Sequence, residues 1–455
     1  MVFQFKSYLS RHFTEGHART VKAKKNIIAL FLMRGVSIII SFLLIPLTLN
    51  YLSPVKYGVW LTLLSLINWV SALDVGLGTG LRNKFAEAIA KNDDELARTY
   101  VSTAYFFIAL IVIAALIIFL SINPFLVWSK ILNTGSEMES ELTLLAGVAF
   151  TFFCFRLVFS IIGTILTSDQ QPASSAFLEV LTNFLSLIVI YVLTKITDGS
   201  LFWIGFTISS IAGVVPLGAN IWFFSKKYKR YLPSLLYVKK KYAKALLSLG
   251  IQFFIIQLAS ILIFSSSNII ITQFFGPEEV TLFNIAFRYY GVASMAFLMI
   301  ITPFWSAYTD AFSRNDRGWI ARSNKKLIKV WLLLLAAVFM MTIFSDYIYK
   351  IWVGNAIQIP WLLSAIMAIN VLIIAWCNIF AYFMNGTGKI RLQMWAALLV
   401  AVTNIFLSLA IVTYTELKSG GVILATCISL LPWCFIWPIQ MKKILNGTAT
   451  GIWNK

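Results

Sequence analysis

Charge, histidine, cysteine and acid are all scarce in this chain, and each shortage closes off a class of function. Only 12% of the 455 residues are charged and 59% are hydrophobic, with a mean hydropathy of +0.83. A soluble domain of this length does not carry so little charge. The only two histidines, His12 and His17, fall in the N-terminal tail, so a histidine-based metal or acid–base site in the body of the chain is excluded. The four cysteines, Cys154, Cys377, Cys427 and Cys434, sit inside apolar runs without metal-ligand spacing and read as small core residues. No nucleophile triad, phosphate-binding loop or cofactor motif is visible, which argues against an enzyme. Acids number 18 against 37 Lys and Arg, for a net charge of +19 and a pI near 9.7. That excess does not point to nucleic acid, because it falls in the loops between apolar runs.

A spanning helix needs about 20 apolar residues. Twelve runs qualify: 26–50, 58–78, 100–121, 143–167, 175–194, 201–224, 245–272, 283–309, 327–345, 360–384, 392–414 and 421–440. The expectation is an all-α polytopic membrane protein. With the N-terminus inside, 29 of the 37 Lys and Arg lie in inner segments and five in outer loops, which places both termini in the cytoplasm. The N-terminal residues are polar and basic and do not read as a signal peptide. The longest outer loop, 122–142, leaves no room for an outer catalytic domain. Asn385-Gly-Thr and Asn446-Gly-Thr match glycosylation sequons but face inward in this topology.

The two halves echo each other. Pro54 and Pro277, each closing a short Tyr/Phe-containing stretch after a span, are 223 residues apart. Asn92-Asp93 with Ala97-Arg98 repeats as Asn315-Asp316 with Ala321-Arg322, at offsets of 223 and 224. Thr182-Asn183 repeats as Thr403-Asn404 at an offset of 221. Three matches in corresponding elements indicate duplication. Six spans per half, an even number, make it a parallel repeat. The expected organisation is a basic cytoplasmic tail (1–25), a six-helix lobe (26–224), a basic cytoplasmic linker (225–244), a second six-helix lobe (245–440) and a short cytoplasmic tail (441–455). The linker reads as a positive-inside anchor with an interfacial helix, with attraction of anionic membrane lipid as a secondary role.

Three arginines, Arg34, Arg156 and Arg288, stand inside apolar spans, where a cation is costly by at least roughly 2.5–3.5 kcal/mol near the bilayer centre. Fixed buried positive charge of this kind suits an anionic substrate. The structural alternatives are an ion pair, a carbonyl cap, or snorkelling for Arg34 and Arg288. Asp74 and Glu179 are the intramembrane carboxylates, candidates for a coupling proton or for pairing with an arginine. Glu179, Thr182, Asn183 and Ser186 form one stripe at helical spacing, either interhelical glue or cavity lining. Gln257, Ser260 and Asn268 form a second such face, and Asn404 repeats Asn183. Asp74-Val-Gly-Leu-Gly-Thr-Gly80 lacks the strand that a dinucleotide fold needs, and reads as close packing or a flexible helix end. Pro46, Pro216, Pro303 and Pro432 lie within spans and permit bends.

LDVGLGTGLRNKFAEAIAKNDDELARTYVSTAY, from Leu73 to Tyr105, resembles the second-to-third-helix region of polysaccharide transporters of the multidrug/oligosaccharidyl-lipid/polysaccharide flippase superfamily. FNIAFRYYG (Phe283 to Gly291) and TPFWSAYTDAF (Thr302 to Phe312) resemble the eighth-helix signature of Wzx-type O-antigen flippases. The resemblance runs from about residue 25 to 440. Twelve spans suit that branch better than the fourteen usual in lipid II flippases. The resemblance implies a substrate, a polyprenyl-diphosphate-linked oligosaccharide, and a bacterial cytoplasmic (inner) membrane. It also implies a lateral portal at the first and eighth helices, which carry Arg34 and Arg288, with Arg156 holding the diphosphate midway. Implied partners are a coupling proton or sodium ion and a polysaccharide polymerase. Two other functions compete: a cation-coupled multidrug exporter of the same fold, which should favour carboxylates over arginines, and a membrane-embedded polymerase or ligase, which should have a sizeable outer loop.

Overall fold

The computed structural model describes residues 18–454 apart from Val75 and Ala356. His12, His17 and most of the expected N-terminal tail lie outside the described residues. Seventeen α-helices and no strand are found among the described residues. In the first half these are α1 (Ala18–Tyr51), α2 (Pro54–Ile67), α3 (Leu77–Ala90), α4 (Asp94–Ile122), α5 (Trp128–Ile131), α6 (Glu139–Phe159), α7 (Ile161–Ser168), α8 (Pro172–Ile196) and α9 (Leu201–Ser225). The second half has α10 (Lys240–Phe275), α11 (Pro277–Ile301), α12 (Phe304–Ser313), α13 (Arg317–Ile343), α14 (Ser345–Val353), α15 (Trp361–Thr387), α16 (Arg391–Tyr414) and α17 (Ser419–Asn446).

Among the described residues, eleven stretches are long and apolar enough to cross a membrane. The second expected span is the one missing from these eleven. α2 gives way to a 3-10 segment at Asn68–Asp74, and the chain then turns through Gly76, at φ +80°, into α3. Local chemistry explains the break. The Asp74 carboxylate accepts the Gly78 N–H at 2.9 Å, capping α3, and Gly76 supplies the left-handed turn. Gly80 also lets α10 approach, since a Cβ there would stand 2.1 Å from Leu246 O. The eighth span is also divided: Pro303 separates α11 from α12. Pro46, Pro216 and Pro432 lie within unbroken helices.

The repeat is written in the backbone. Pro54 and Pro277 each open a helix, α2 and α11. Asn92 and Asn315 both adopt left-handed φ, +57° and +56°. The aspartates that follow cap α4 and α13: Asp93 accepts Leu96 N–H at 2.9 Å and Asp316 accepts Trp319 N–H at 2.8 Å. The same turn, the same cap and the same helix therefore recur in each half.

The described chain forms two compact units. One comprises residues up to Thr48, Leu73–Leu126 and Thr143–Ile251. The other comprises Leu49–Ala72, Val127–Leu142 and the chain from Gln252 onward. The second unit therefore takes in α2 and α5 from the first half of the sequence. Of the cysteines, Cys154 and Cys427 are buried, and the Cys377 and Cys434 sulfurs lie 3.8 Å apart between α15 and α17.

Candidate functional site

In the first unit, α6 and α8 bring Arg156 within electrostatic reach of Glu179, and α8 is bonded to α1, which carries Arg34. Asn183 on α8 donates from Nδ2 to Ser37 Oγ on α1 at 3.0 Å. Arg34 lies one turn before Ser37 on α1, and Glu179 lies one turn before Asn183 on α8. As first and fifth crossings, the two helices run the same way, so Arg34 and Glu179 share a level a turn below that hydrogen bond. Arg156 on α6 lies within electrostatic reach of Glu179, and its guanidinium stands 5.4 Å from the Phe153 ring centroid. Arg34, Arg156 and Glu179 are all exposed. None of the three takes part in an ion pair among the described residues.

The α8 stripe divides along its length. Thr182 and Ser186 hydroxyls bond back to Leu178 O and Thr182 O of their own helix, both at 2.8 Å, and Ser186 is buried. Asn183 joins α1, and only Glu179 stays open. An apolar cavity of about 610 Å³ lies between α1, α8 and α9, lined by Met33, Phe177, Leu178, Leu181, Val214 and Trp222 among others, with none of the three charges in its lining. Asp74 lies apart from this group, half-buried at the α3 cap.

The second unit holds Arg288 on α11, exposed, with its charge reaching the buried Tyr57 of α2. Tyr57 belongs to a seam that joins α2 to α10 and α11. There the Thr62 and Thr272 hydroxyls meet at 2.6 Å. Asn268 donates to Ser65 Oγ at 2.6 Å and accepts from Asn284 Nδ2 at 2.9 Å. Thr281 Oγ1 donates to Pro54 O at 2.6 Å. At Gly58 the helices touch so closely that a Cβ would stand 1.7 Å from Pro277 O. The end of α10 is tied to the α5 loop as well: Asn133 donates to Thr272 O at 2.9 Å and Gln273 to Ile131 O at 2.7 Å.

Of the remaining candidates, Gln257 is exposed on α10, whereas Asn268 is buried within the seam. Asn404 is 0% exposed and donates to Thr426 Oγ1 at 2.8 Å, holding α16 to α17. Sequence reasoning missed Ser37, Ser65, Thr62, Thr272 and Asn284. Small hydroxyls in apolar helices give no periodic signal. Asn284 did have one, standing four residues before Arg288 in the same motif and hence on the same helix face.

Comparison with known proteins agrees with this architecture. The chain is 22% identical over 368 residues to a putative O-antigen export protein of Yersinia pseudotuberculosis, covering 80% of this chain and 82% of that one. It is 24% identical over 417 residues to a putative O-antigen transporter of Salmonella typhimurium, covering 88% and 91%. Its fold matches the inward-facing conformation of a multidrug resistance MATE family transporter of the MOP superfamily, with a TM-score of 0.77 at 15% identity over 92% of this chain and 100% of the other. The family model described as polysaccharide biosynthesis protein matches residues 23–308, more than half of the sequence, and the chain belongs to that family.

Proposed function

We propose that this protein is a flippase. Its substrate is a polyprenyl-diphosphate-linked oligosaccharide, an O-antigen or related surface-polysaccharide repeat unit. The substrate passes from the inner to the outer leaflet of a bacterial cytoplasmic membrane, with both termini of the protein on the cytoplasmic side. Transport proceeds by alternating access between two six-helix lobes, 26–224 and 245–440. The observation that carries this reading is the set of intramembrane arginines exposed without an ion-pair partner among the described residues. A diphosphate with a polar glycan cannot cross hydrocarbon alone. Guanidinium groups replace the lost hydration of its phosphates with paired, charge-assisted hydrogen bonds. Arg156 and Arg34 hold the diphosphate in the first unit, and Arg288 receives it on α11. The apolar cavity in the same unit, lined on α1 by Met33, offers the prenyl chain a surface. Glu179 offsets the arginine charge when no substrate is bound. The names of the curated relatives support the substrate class. Against a cation exporter stands the balance of charge in the spans, with three arginines against Asp74 and Glu179.

The test uses lipid extracts of cells lacking this protein. Mass spectrometry identifies polyprenyl-linked oligosaccharides, and a leaflet-accessibility probe locates them. Accumulation on the inner face, reversed by wild type but not by Arg156→Ala, is the expected result. Accumulation on the outer face would reassign the protein to polymerisation or ligation, and no accumulation would favour a small-molecule exporter.

A further inference from the structure

The segment between the two repeats, residues 225–244, carries eight of the 37 Lys and Arg and no acid. Instead of one interfacial helix it forms two 3-10 turns, Lys229–Tyr231 and Leu235–Tyr237, laced along the start of α4. Arg230 Nη1 and Tyr231 Oη donate to the two Asp94 carboxylate oxygens at 2.8 and 2.6 Å. Burial and that bond to Asp94 push the Tyr231 hydroxyl up to about 12, so it remains a donor at physiological pH. Further along, Arg98 Nε donates to Leu232 O at 3.0 Å and its guanidinium lies 4.3 Å from the Tyr237 ring centroid. Ser234 N–H then donates to Ser102 Oγ at 3.1 Å, and Lys239 N–H to Thr103 Oγ1 at 3.2 Å. From Asp94 to Thr103 the helix rises about 13 Å. The segment therefore follows α4 from its acidic first turn to just past Arg98, the last charge before the apolar run.

What this track leaves uncovered is amphipathic. Leu235 and Leu236 are 76% and 90% exposed, beside the level at which α4 turns apolar. Lys226 and Lys229 precede them, and Lys239, Lys240, Lys241 and Lys244 follow, all exposed. Lys227 and Arg230 are paired with Asp169 and Asp94, but the other six bases make no ion pair among the described residues. The Lys226 ammonium sits 3.5 Å from the ring centroid of Trp222, itself exposed at the end of α9. Apolar tips at the depth where a spanning helix enters hydrocarbon, flanked by unpaired ammonium groups, match the layered chemistry of an anionic leaflet. A soluble partner reaching that depth would itself have to enter the headgroup layer.

We propose that residues 225–244 form a docking surface for anionic phospholipid, with Leu235 and Leu236 inserted below the headgroups and the lysines on lipid phosphates. The test places a nitroxide on Leu236→Cys in the full-length protein, in nanodiscs of phosphatidylcholine with or without phosphatidylglycerol. A control without the added cysteine removes any signal from the native thiols. Accessibility to oxygen against a water-soluble nickel chelate reads the depth of the label. With phosphatidylglycerol the label should be oxygen-accessible and shielded from nickel. It should shift toward water without phosphatidylglycerol, in high salt, and in the Lys239→Gln, Lys240→Gln, Lys241→Gln, Lys244→Gln variant. High salt makes the test independent of whether that variant inserts normally. Nickel accessibility in both lipids, or shielding from both reagents as under a protein partner, overturns the proposal. Transport plays no part in the readout, so failure here is distinct from failure of the flippase reading.

Discussion

Around the α2 seam the polar groups are neutral and satisfied by one another, whereas on the α1–α6–α8 face they are charged and left open. Thr62 meets Thr272, Asn268 bridges Ser65 and Asn284, and Gly58 admits Pro277 O without a gap. On the other face Arg156 and Glu179 act on each other without forming an ion pair, and Arg34 stands a turn from the Ser37–Asn183 bond. The difference is one of chemistry. A neutral hydrogen bond between membrane helices contributes about 0.6 kcal/mol, at most about 1.7, so a seam of them holds two helices together and can still come apart. An unpaired guanidinium in a low-dielectric site is unstable until an anion arrives. Under the proposed function the seam would act as a closure and the open face as the binding site.

The largest effect should come from breaking the closure. Gly58→Ala puts a methyl where Pro277 O already stands, and over-packing of this kind costs on the order of 1–3 kcal/mol. At about 1.4 kcal/mol per factor of ten, that depletes the closed seam roughly 5- to 150-fold relative to an open one. A disulfide between Thr62→Cys and Thr272→Cys, whose hydroxyls touch in the native seam, should form readily with Gly58 present and poorly once the Gly58→Ala change is added. Unchanged cross-linking would mean the seam is not held by that contact, and flipping should fall in parallel with the cross-link.

Next in size is removal of the open charge. Arg156→Ala and Arg34→Ala proteins that insert normally should flip at least about tenfold more slowly, a loss of about 1.4 kcal/mol or more of anion stabilisation. Arg156→Lys should keep part of the rate, because a point charge remains but the planar fork does not. Measured as lipid-linked oligosaccharide on the inner face, equal rates for Arg156→Ala and wild type would remove the central element of the proposal.

Why the sequence showed one of these regions better than the other follows from the residues themselves. A lone arginine in an apolar run is a large signal, and so are the span lengths, the Asn-Asp turn pairs and Pro54 with Pro277. The seam was nearly invisible because Thr62, Ser65, Thr272 and Gly58 are ordinary residues of membrane helices, and their meaning lies in partners about 200 residues away. The second span was also expected to be one helix over 58–78, since its hydropathy is continuous. The break at Asn68–Asp74 comes instead from a side-chain cap and a left-handed glycine. Asn183 and Asn404, matched by the repeat, have different partners, Ser37 and Thr426, because a repeat preserves the helix but not its neighbours.

Two milder substitutions separate charge from scaffold on the open face. Glu179→Gln leaves the side chain's size but removes the countercharge to Arg156. A soluble short-chain prenyl diphosphate should then bind a few-fold more tightly and leave more slowly, lowering turnover about two- to fivefold, as expected for one charge at partly screened range. Weaker binding would instead assign Glu179 to contact with the substrate.

Asn183→Ala should have the smallest effect. It removes one neutral bond between α1 and α8, worth about 0.6–1.7 kcal/mol, and leaves every charge in place. Thermal unfolding in detergent should fall by a few degrees, with diphosphate affinity within about twofold of wild type. Ser37→Ala should reproduce that loss, and the double variant should add little to either single one, because both remove the same bond. If Asn183→Ala instead lost affinity on the scale of Arg156→Ala, the α8 stripe would be part of the binding surface, and the division between a satisfied scaffold and an open charged face would have to be redrawn one turn higher on the helix.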